Sequence, residues 1–343
     1  MDNDIQVHRV ISPPRPISIL GTGHALPHHE VLSSALDIKF NCPSGHFESK
    51  SGVRKRHFAE LSDTAASLGA KAAMLAIQSA RLSLMDINCV VAASATMDQG
   101  MPSNAALIHH ELGLSNSGVP AFDVNASCLG FLVALDTISW AITAGRYRRV
   151  LIVASDIASC GLNWDSIECS AIFGDGAAAA VVGLSEVSGS KILSANLQTY
   201  SSGVSFCNIP AGGSRYHPSR IDEPFIPLTT FRMDGKAVFK LASAHLPEFV
   251  ENLLACAGIR QVDLDWIVPH QASSLALSHI TKRLGFMKEK VINIFPEHGN
   301  QVAASLPTTL DIAIKDGRIR RGQHILLLGT GAGLSLGGAV LEY

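Results

Sequence analysis

The sequence is poor in charged residues, which make up 16% of its 343 residues, while 47% are hydrophobic. The formal net charge of −2 gives no reason to expect nucleic acid or an anionic membrane as the main partner. No apolar run reaches the roughly 20 residues of a membrane span. Residues 1–16 are polar and contain proline, unlike a signal peptide, and we expect a flexible arm there. So little charge predicts extensive burial, to which a subunit interface would contribute.

Cysteine pairs and complete glycine motifs are also missing. The seven cysteines are an odd number without C-x-x-C spacing or nearby histidine ligands, which argues against zinc and disulfides and for a reducing cytoplasm. Gly21–Gly23 lacks the third glycine of a dinucleotide fingerprint, and Gly174–Gly176 lacks the Lys-Ser/Thr of a phosphate loop. We therefore expect no metal and no cofactor.

Cys128 is the most informative residue that is present. It follows a predicted strand, Ala121–Val124, and precedes a predicted apolar helix, Leu129–Ala144. At a helix N-terminus the unpaired N–H groups and the macrodipole favour the thiolate, which is the nucleophilic form. A small buried hydrophobe is the other interpretation. Placement alone leaves both open.

The chain repeats itself, in the same order, in two predicted halves, 17–185 and 186–343. The matched segments are Asp86–Val91 with Asp263–Val268, Gly145–Arg149 with Gly317–Arg321, and Gly174–Val182 with Gly331–Val340. Short apolar runs alternate with longer helical stretches, which is typical of an α/β fold with sheets covered on both sides. Strands are predicted at Ile17–Gly21, Val90–Ala95, Ala121–Val124, Val150–Ser155, Ala177–Gly183 and Trp266–Val268. Helices are predicted at Thr64–Leu84, Ser103–Leu112, Val238–Cys256 and Ala272–Leu284, and segment 200–235 is predicted to be a long excursion near the site.

The repeat links Cys128 to two other residues. Cys128 precedes Gly145 by 145 − 128 = 17 residues, and the residue 17 before Gly317 is Asn300. His270 follows the predicted strand Trp266–Val268, and reacting groups of α/β proteins gather beyond the carboxyl ends of strands. A pseudo-twofold relation would bring all three together. Taken singly, each residue also has a structural interpretation: His270 as an ordinary histidine at a strand end, and Asn300 as a turn residue after glycine.

These three side chains suit acyl transfer through a thioester. Cys128 would attack an acyl thioester, with the oxyanion held by the Cys128 N–H and one N–H of the turn Gly331–Gly333, each donor contributing about 3 kcal/mol. His270 and Asn300 would then donate to a second carbonyl. If that carbonyl belonged to a malonyl thioester, stabilising its enolate would drive decarboxylation.

The chain resembles the β-ketoacyl-(acyl carrier protein) synthase III family of thiolase-like condensing enzymes from Ile17 to Tyr343. The motifs that carry the resemblance are Gly52–His57, Ala121–Cys128, Ile172–Gly176, Val268–Ala272 and His298–Ser305. The resemblance implies a thiolase-like, five-layered α-β-α-β-α fold of two similar halves, a homodimer, and Cys-His-Asn catalysis of decarboxylative condensation. The implied substrates are an acyl-CoA and a malonyl carrier protein.

The resemblance also assigns an entrance for the pantetheine arm, where this chain departs from the family. His46 stands where relatives have an adenine-stacking tryptophan, and Ile167 and Leu275 stand where they have arginines. Lys240 resembles a lysine that docks the carrier protein. The chemistry is therefore expected to be kept and donor recognition to be altered.

Four further residues receive roles from the resemblance alone. Arg54 and Lys50 are expected near the same entrance. Ala332, in the turn Gly331–Gly333, would supply the second oxyanion N–H. Met101, in the loop Met97–Pro102, is expected to enter the partner subunit's pocket.

Three functions compete at this point. The first is a carbon–carbon-forming synthase; the second is an acyltransferase of the same fold that passes the acyl group to oxygen or nitrogen. The third is a non-catalytic partner subunit, against which the presence of Cys128, His270 and Asn300 argues. The length of the starter acyl chain is left open.

Overall fold

The computed structural model describes residues 13–185 and 189–343. The thirteen strands are β1 (Ile17–Ala25), β2 (His29–Leu32), β3 (Lys55–Phe58), β4 (Cys89–Ala92), β5 (Ala121–Asp123), β6 (Arg149–Asp156), β7 (Gly176–Leu184), β8 (Lys191–Thr199), β9 (Cys207–Asn208), β10 (Arg232–Met233), β11 (Trp266–Pro269), β12 (His324–Gly331) and β13 (Ser335–Glu342), all within the described ranges. The ten α-helices of those ranges are α1 (Ser33–Lys39), α2 (His46–Ser51), α3 (Ala65–Ser79), α4 (Asn104–Glu111), α5 (Gly130–Thr143), α6 (Ile167–Ser170), α7 (Gly235–Ala257), α8 (Ser274–Arg283), α9 (Phe295–His298) and α10 (Ser305–Lys315).

Two central sheets have matching topology. The first has the order β1-β7-β6-β4-β5, and the second has the order β11-β12-β13-β8. In each, a parallel pair (β4 with β6, β11 with β12) continues into two antiparallel pairings. The counterpart of β5 is reduced to a single parallel bridge between Ile267 and Val291.

Five layers result from the packing of helices on these sheets. Helix α3 covers the outer face of the first sheet, α5 and α10 lie between the sheets, and α7 covers the outer face of the second. The runs of buried residues in β6 and β7 explain this, because strands apolar on both faces need cover on both sides. The largest core cluster lies in the middle layer and includes Phe131, Leu135, Ile152, Leu310 and Leu327. The predicted α-β-α-β-α layering is thus confirmed.

The ends of the predicted elements need correction. Helix α3 ends at Ser79 rather than Leu84, because Arg81 adopts a left-handed φ of 56° that no helix continues through. Segment 200–235 holds only short 3₁₀ turns and the two-residue strands β9 and β10. The described residues contain no helix long and apolar enough to cross a membrane.

The predicted arm 1–16 falls mostly outside the described residues, but its end is not a flexible arm. Arg15 is 1% exposed, and its backbone forms a bridge with Ile192. Its guanidinium forms an ion pair with Asp136 and lies over the Trp140 ring, 4.6 Å from the centroid. These contacts join the segment before β1 to the middle layer. The predicted boundary between the halves, at 185/186, also meets undescribed residues and stays a prediction.

Candidate active site

Cys128 lies in the turn that connects β5 to α5. Ser127, just before it, has a φ of 54°, and its N–H donates to Asn125 Oδ1 at 2.9 Å. The Leu129 N–H donates to the Ala126 carbonyl at 3.1 Å, which closes the turn. The Cys128 N–H faces its own sulfur. The nucleophile candidate therefore stands two residues before the first residue of α5, as the sequence predicts.

Desolvation works against the thiolate that the helix end would favour at Cys128. Cys128 is half-buried by surface area but lies deep in the fold, and desolvation raises the pKa of its thiol well above the usual range. Cys207 and the carboxylate of Asp156 raise this pKa further, while the Cys128 N–H lowers it. With its pKa raised, the thiol keeps its proton at neutral pH and needs a base.

His270 can be that base. It follows the last residue of β11, its backbone N–H donates to the Leu328 carbonyl at 2.8 Å, and the residue is 3% exposed. Burial lowers the pKa of its imidazole to about 4, so the ring is neutral at pH 7. Its Nδ1 atom is buried without a hydrogen-bond partner in the described part of the chain. A neutral ring offers one N–H donor and one acceptor nitrogen.

The side-chain amide of Asn300 has a fixed orientation. Its Oδ1 accepts from the Val302 N–H at 2.8 Å and from the Ser305 hydroxyl at 3.5 Å, and one Nδ2 hydrogen donates to the Ala272 carbonyl at 3.2 Å. The second Nδ2 hydrogen is left for a ligand. Gly299, just before it, has a φ of 67°, which matches the positive φ before Cys128.

Close contacts bring the three residues to one place. A Cβ on Gly329 of β12 would lie 3.0 Å from His270 Cβ and 2.9 Å from a methyl of Leu129, so the histidine and the cysteine turn meet over this glycine. A Cβ on Gly130 would lie 3.6 Å from Ala303 Cβ, which brings the start of α5 against the segment after Asn300. The cysteine turn thus contacts both the His270 and the Asn300 segments.

The turn after β12 lies against the same cysteine turn. A Cβ on Gly331 would lie 3.3 Å from the Ala126 carbonyl oxygen and from Leu129 Cγ. Ala332 follows it and is half-buried. This contact is what an oxyanion role for the Ala332 N–H requires.

Residues of the expected entrance lie around the contact between α2 and α8. Their proximity follows from Gly52, whose Cβ would lie 2.6 Å from Ser274 Cβ. Lys50 is exposed, Arg54 forms an ion pair with Glu297, and His46 is half-buried with its ring 5.9 Å from that of Phe47.

The apolar departures from the family differ in exposure. Leu275 on α8 is 80% exposed, whereas Ile167 packs in an apolar cluster beside Trp164. Lys240 is exposed on α7, whose neighbouring Phe239 has its ring 4.2 Å from that of His279 on α8. Met101 is 85% exposed, so the rest of its own chain covers little of its side chain.

Sequence reasoning missed Gln271 as part of the site. It is fully buried; its Oε1 accepts from the N–H groups of Ile294 and Phe295 at 3.0 Å, and its Nε2 donates to the carbonyls of Pro269 and Ile292. The signal in the sequence that could have indicated this residue is its position directly after His270. It holds the chain that leads into α9 and Asn300.

Within residues 13–185 and 189–343, no group of three or more histidine, cysteine or acidic side chains could hold a metal ion.

Comparisons with known proteins agree with this geometry. Two family models match the chain. The model of 3-oxoacyl-[acyl-carrier-protein (ACP)] synthase III matches residues 122–201, and the model of the C-terminal part of the same enzyme matches residues 254–343. The chain is 34% identical over 325 residues to a β-ketoacyl-[acyl-carrier-protein] synthase III of Neisseria gonorrhoeae (95% of this chain, 98% of the relative). It is 36% identical over 328 residues to the enzyme of that name from Laribacter hongkongensis, with the same coverages. The crystal structure of 3-oxoacyl-[acyl-carrier-protein] synthase III from Aquifex aeolicus superposes with a TM-score of 0.84 at 30% identity, covering 95% of this chain and all of that one.

Proposed function

Because this chain belongs to the 3-oxoacyl-[acyl-carrier-protein] synthase III family, with its thiolase-like fold, we propose that Cys128, His270 and Asn300 carry out the two half-reactions of a condensing enzyme. The protein is an acyltransferase of the β-ketoacyl synthase III type that acts in fatty acid biosynthesis. The alternative function, transfer of the acyl group to an oxygen or nitrogen nucleophile, is not favoured. Two observations support the residue assignments above all: the buried, uncharged His270 and Leu129, the residue after Cys128, both pack on Gly329, and hydrogen bonds fix the Asn300 amide.

The first half-reaction loads the acyl group. The Cys128 sulfur bonds to the carbonyl carbon of the acyl thioester as its proton passes to the neutral His270 ring. The tetrahedral oxyanion accepts from the N–H groups of Cys128 and Ala332. When the carbon–sulfur bond to the donor breaks, the leaving thiolate takes the proton back, and His270 is neutral again.

The second half-reaction forms the carbon–carbon bond. A malonyl thioester binds with its carbonyl oxygen against the N–H of His270 and the free Nδ2 hydrogen of Asn300. Loss of carbon dioxide leaves the electron pair as an enolate, which these donors stabilise. The enolate carbon attacks the acyl carbonyl, the bond to Cys128 breaks, and the Cys128 thiolate takes a proton from the solvent. The electrons of the new bond come from the lost carboxylate, so no cofactor is required.

The proposal extends to partners and location. Acyl-CoA and a malonyl acyl carrier protein are the substrates, with Lys240, Arg54, Lys50 and His46 around the entrance. The exposed edge of β5, with Phe122 at 36% exposure, and the exposed Met101 support a homodimer joined along this edge. Seven free cysteines support a reducing, cytoplasmic location.

The test separates the half-reactions. The purified protein is incubated with a panel of acyl-CoAs and its intact mass is measured; it is then mixed with malonyl carrier protein, and carbon dioxide and the product are measured. We expect one acyl group per chain at Cys128, and an Asn300→Ala variant that still acylates but releases little carbon dioxide. Acylation without carbon dioxide release by the wild-type protein would contradict the condensing function.

A further inference from the structure

The buried carboxylate of Asp156 connects both halves of the site. It is the last residue of β6 and is fully buried. Its Oδ1 accepts from the N–H groups of Ala95 and Thr96 at 2.8 Å and from the Thr96 hydroxyl at 3.1 Å. Its Oδ2 accepts from the N–H groups of Ala303 and Ala304 at 3.0 and 3.2 Å. One carboxylate thus joins the end of β4 to the turn after Asn300.

That turn fixes the Asn300 amide. Val302, its first residue, has a φ of 53°, which is strained by about 1–3 kcal/mol for a β-branched residue and persists only where neighbours enforce it. In this conformation its N–H reaches Asn300 Oδ1 at 2.8 Å. The next two N–H groups of the turn are the ones that Asp156 accepts. The carboxylate therefore holds the strained turn in place.

We propose that Asp156 is a positioning residue that sets the direction of the Asn300 N–H and thereby the rate of decarboxylation. The inference rests on the role proposed above for Asn300. The hydrogen bonds of Asp156 reach the Asn300 turn and the loop after β4 but, among the described residues, not the Cys128 turn, so Asp156 acts on acyl loading only through its charge, which raises the pKa of the Cys128 thiol.

Asp156→Asn tests this with little change in shape. An amide has one acceptor oxygen, so it cannot accept from both the β4 side and the Asn300 side, and its NH₂ would oppose N–H donors. We expect carbon dioxide release from malonyl carrier protein by the pre-acylated enzyme to fall by about 100-fold, the cost of a misplacement near 1 Å. Acylation of Cys128 should be unchanged or slightly faster, because the Asp156 charge raises the pKa of that thiol.

A double-mutant cycle tests whether Asp156 acts through Asn300. Asp156→Asn combined with Asn300→Ala should lose no more than Asn300→Ala alone, since a pair that acts as one unit is not additive. Asp311→Asn is the matched control: Asp311 is another buried aspartate, which pairs with His24 and Lys315 instead of with the N–H groups of the turn. It should lower the melting temperature and leave the ratio of the two half-reaction rates unchanged.

Thr96→Val provides a second route if Asp156→Asn does not fold. It keeps the carboxylate but removes the hydroxyl that donates to Oδ1 and accepts from the Ile157 N–H at 2.9 Å, and a several-fold loss of decarboxylation with normal acylation is expected. Equal losses in both half-reactions, or additive losses in the cycle, would overturn the role of Asp156. Full decarboxylation by Asn300→Ala would instead contradict the proposed function.

Discussion

Replacing Gly329 with alanine tests how closely the histidine and the cysteine turn must approach. Gly329 lies in β12 between His270 and Leu129, the residue after Cys128. A Cβ at this position would lie 3.0 Å from His270 Cβ and 2.9 Å from Leu129 Cδ2. Both distances are shorter than the roughly 3.5–4.0 Å at which carbon atoms pack. The added methyl must therefore displace at least one neighbour.

The size of the effect depends on which neighbour yields. The Leu129 methyl ends a side chain that is fully buried, so it gives way only in part. The backbone of His270 is held by its N–H, which donates to the Leu328 carbonyl at 2.8 Å. The His270 side chain must therefore move, and its ring shifts by roughly 0.5 Å, the difference between 3.0 Å and normal carbon packing. Because about 1 Å of misplacement costs about 100-fold in rate, acylation should slow by roughly 10-fold. Overpacking should lower the free energy of unfolding by about 1–3 kcal/mol.

Gly338→Ala is the matched control in the neighbouring strand β13. Its Cβ would lie 2.6 Å from Leu253 Cδ2 and 3.1 Å from Phe249 Cε1, on the outer side of the sheet under α7. Both variants should lose stability in urea denaturation. Only Gly329→Ala should slow acyl-enzyme formation, followed by quenched-flow mass spectrometry. If the two variants acylate equally fast per folded molecule, the contact between His270 and the cysteine turn does not set the rate.

Four further outcomes are expected. Cys128→Ala should keep its melting temperature and gain no acyl mass; an acyl group on another cysteine would reassign the nucleophile. Because the pKa of His270 is about 4, against 6.5 for a free imidazole, the acylation rate should fall on the acid side only near pH 4. The stability due to this residue should be lost as pH falls from 6.5 towards 4. A fall in the acylation rate at pH 6.5 would mean that the ring is solvated. The exposed edge of β5 around Phe122 predicts a homodimer, which a stable monomer in micromolar sedimentation runs would contradict. Leu275 is exposed where the resemblance predicts an arginine, and its side chain cannot bind phosphate, so an acyl-pantetheine should acylate the protein nearly as fast as the acyl-CoA. A large, salt-sensitive preference for CoA would refute this.

Much of the fold could be predicted because its signals are local or repeated. The apolar runs of β6 and β7 indicate doubly covered strands by composition alone. The spacing from the two Gly-Arg-x-Arg-Arg segments pairs Cys128 with Asn300, and in the structure the residue just before each has a positive φ. His270 follows from the end of a predicted strand. Each of these inferences needs only the order of residues along the chain.

The remaining features depend on contacts between distant residues. Asp156 reads as the polar end of a strand, and only the three-dimensional fold brings it to Ala303, 147 positions away. Arg15 reads as part of a polar tail, because its partner Asp136 lies on a helix 121 positions away. The pKa of Cys128 depends on the depth of its sulfur, whereas the sequence indicates only the nearby helix end. Desolvation and long-range pairing are the two effects that a linear pattern does not contain.

A neutral resting pair would allow one histidine to serve both proposed half-reactions. Burial raises the pKa of Cys128 and lowers that of His270 to about 4, so at pH 7 the thiol is protonated and the ring is uncharged. A neutral ring can accept the thiol proton during acylation, and once it has returned that proton it can donate its N–H to the enolate. An imidazolium could donate but not accept, and a permanent thiolate–imidazolium pair would leave a charged nucleophile open to oxidation before substrate arrives. Deep burial thus suits the order of the chemistry: charge forms at Cys128 only when a thioester carbonyl is there to receive it.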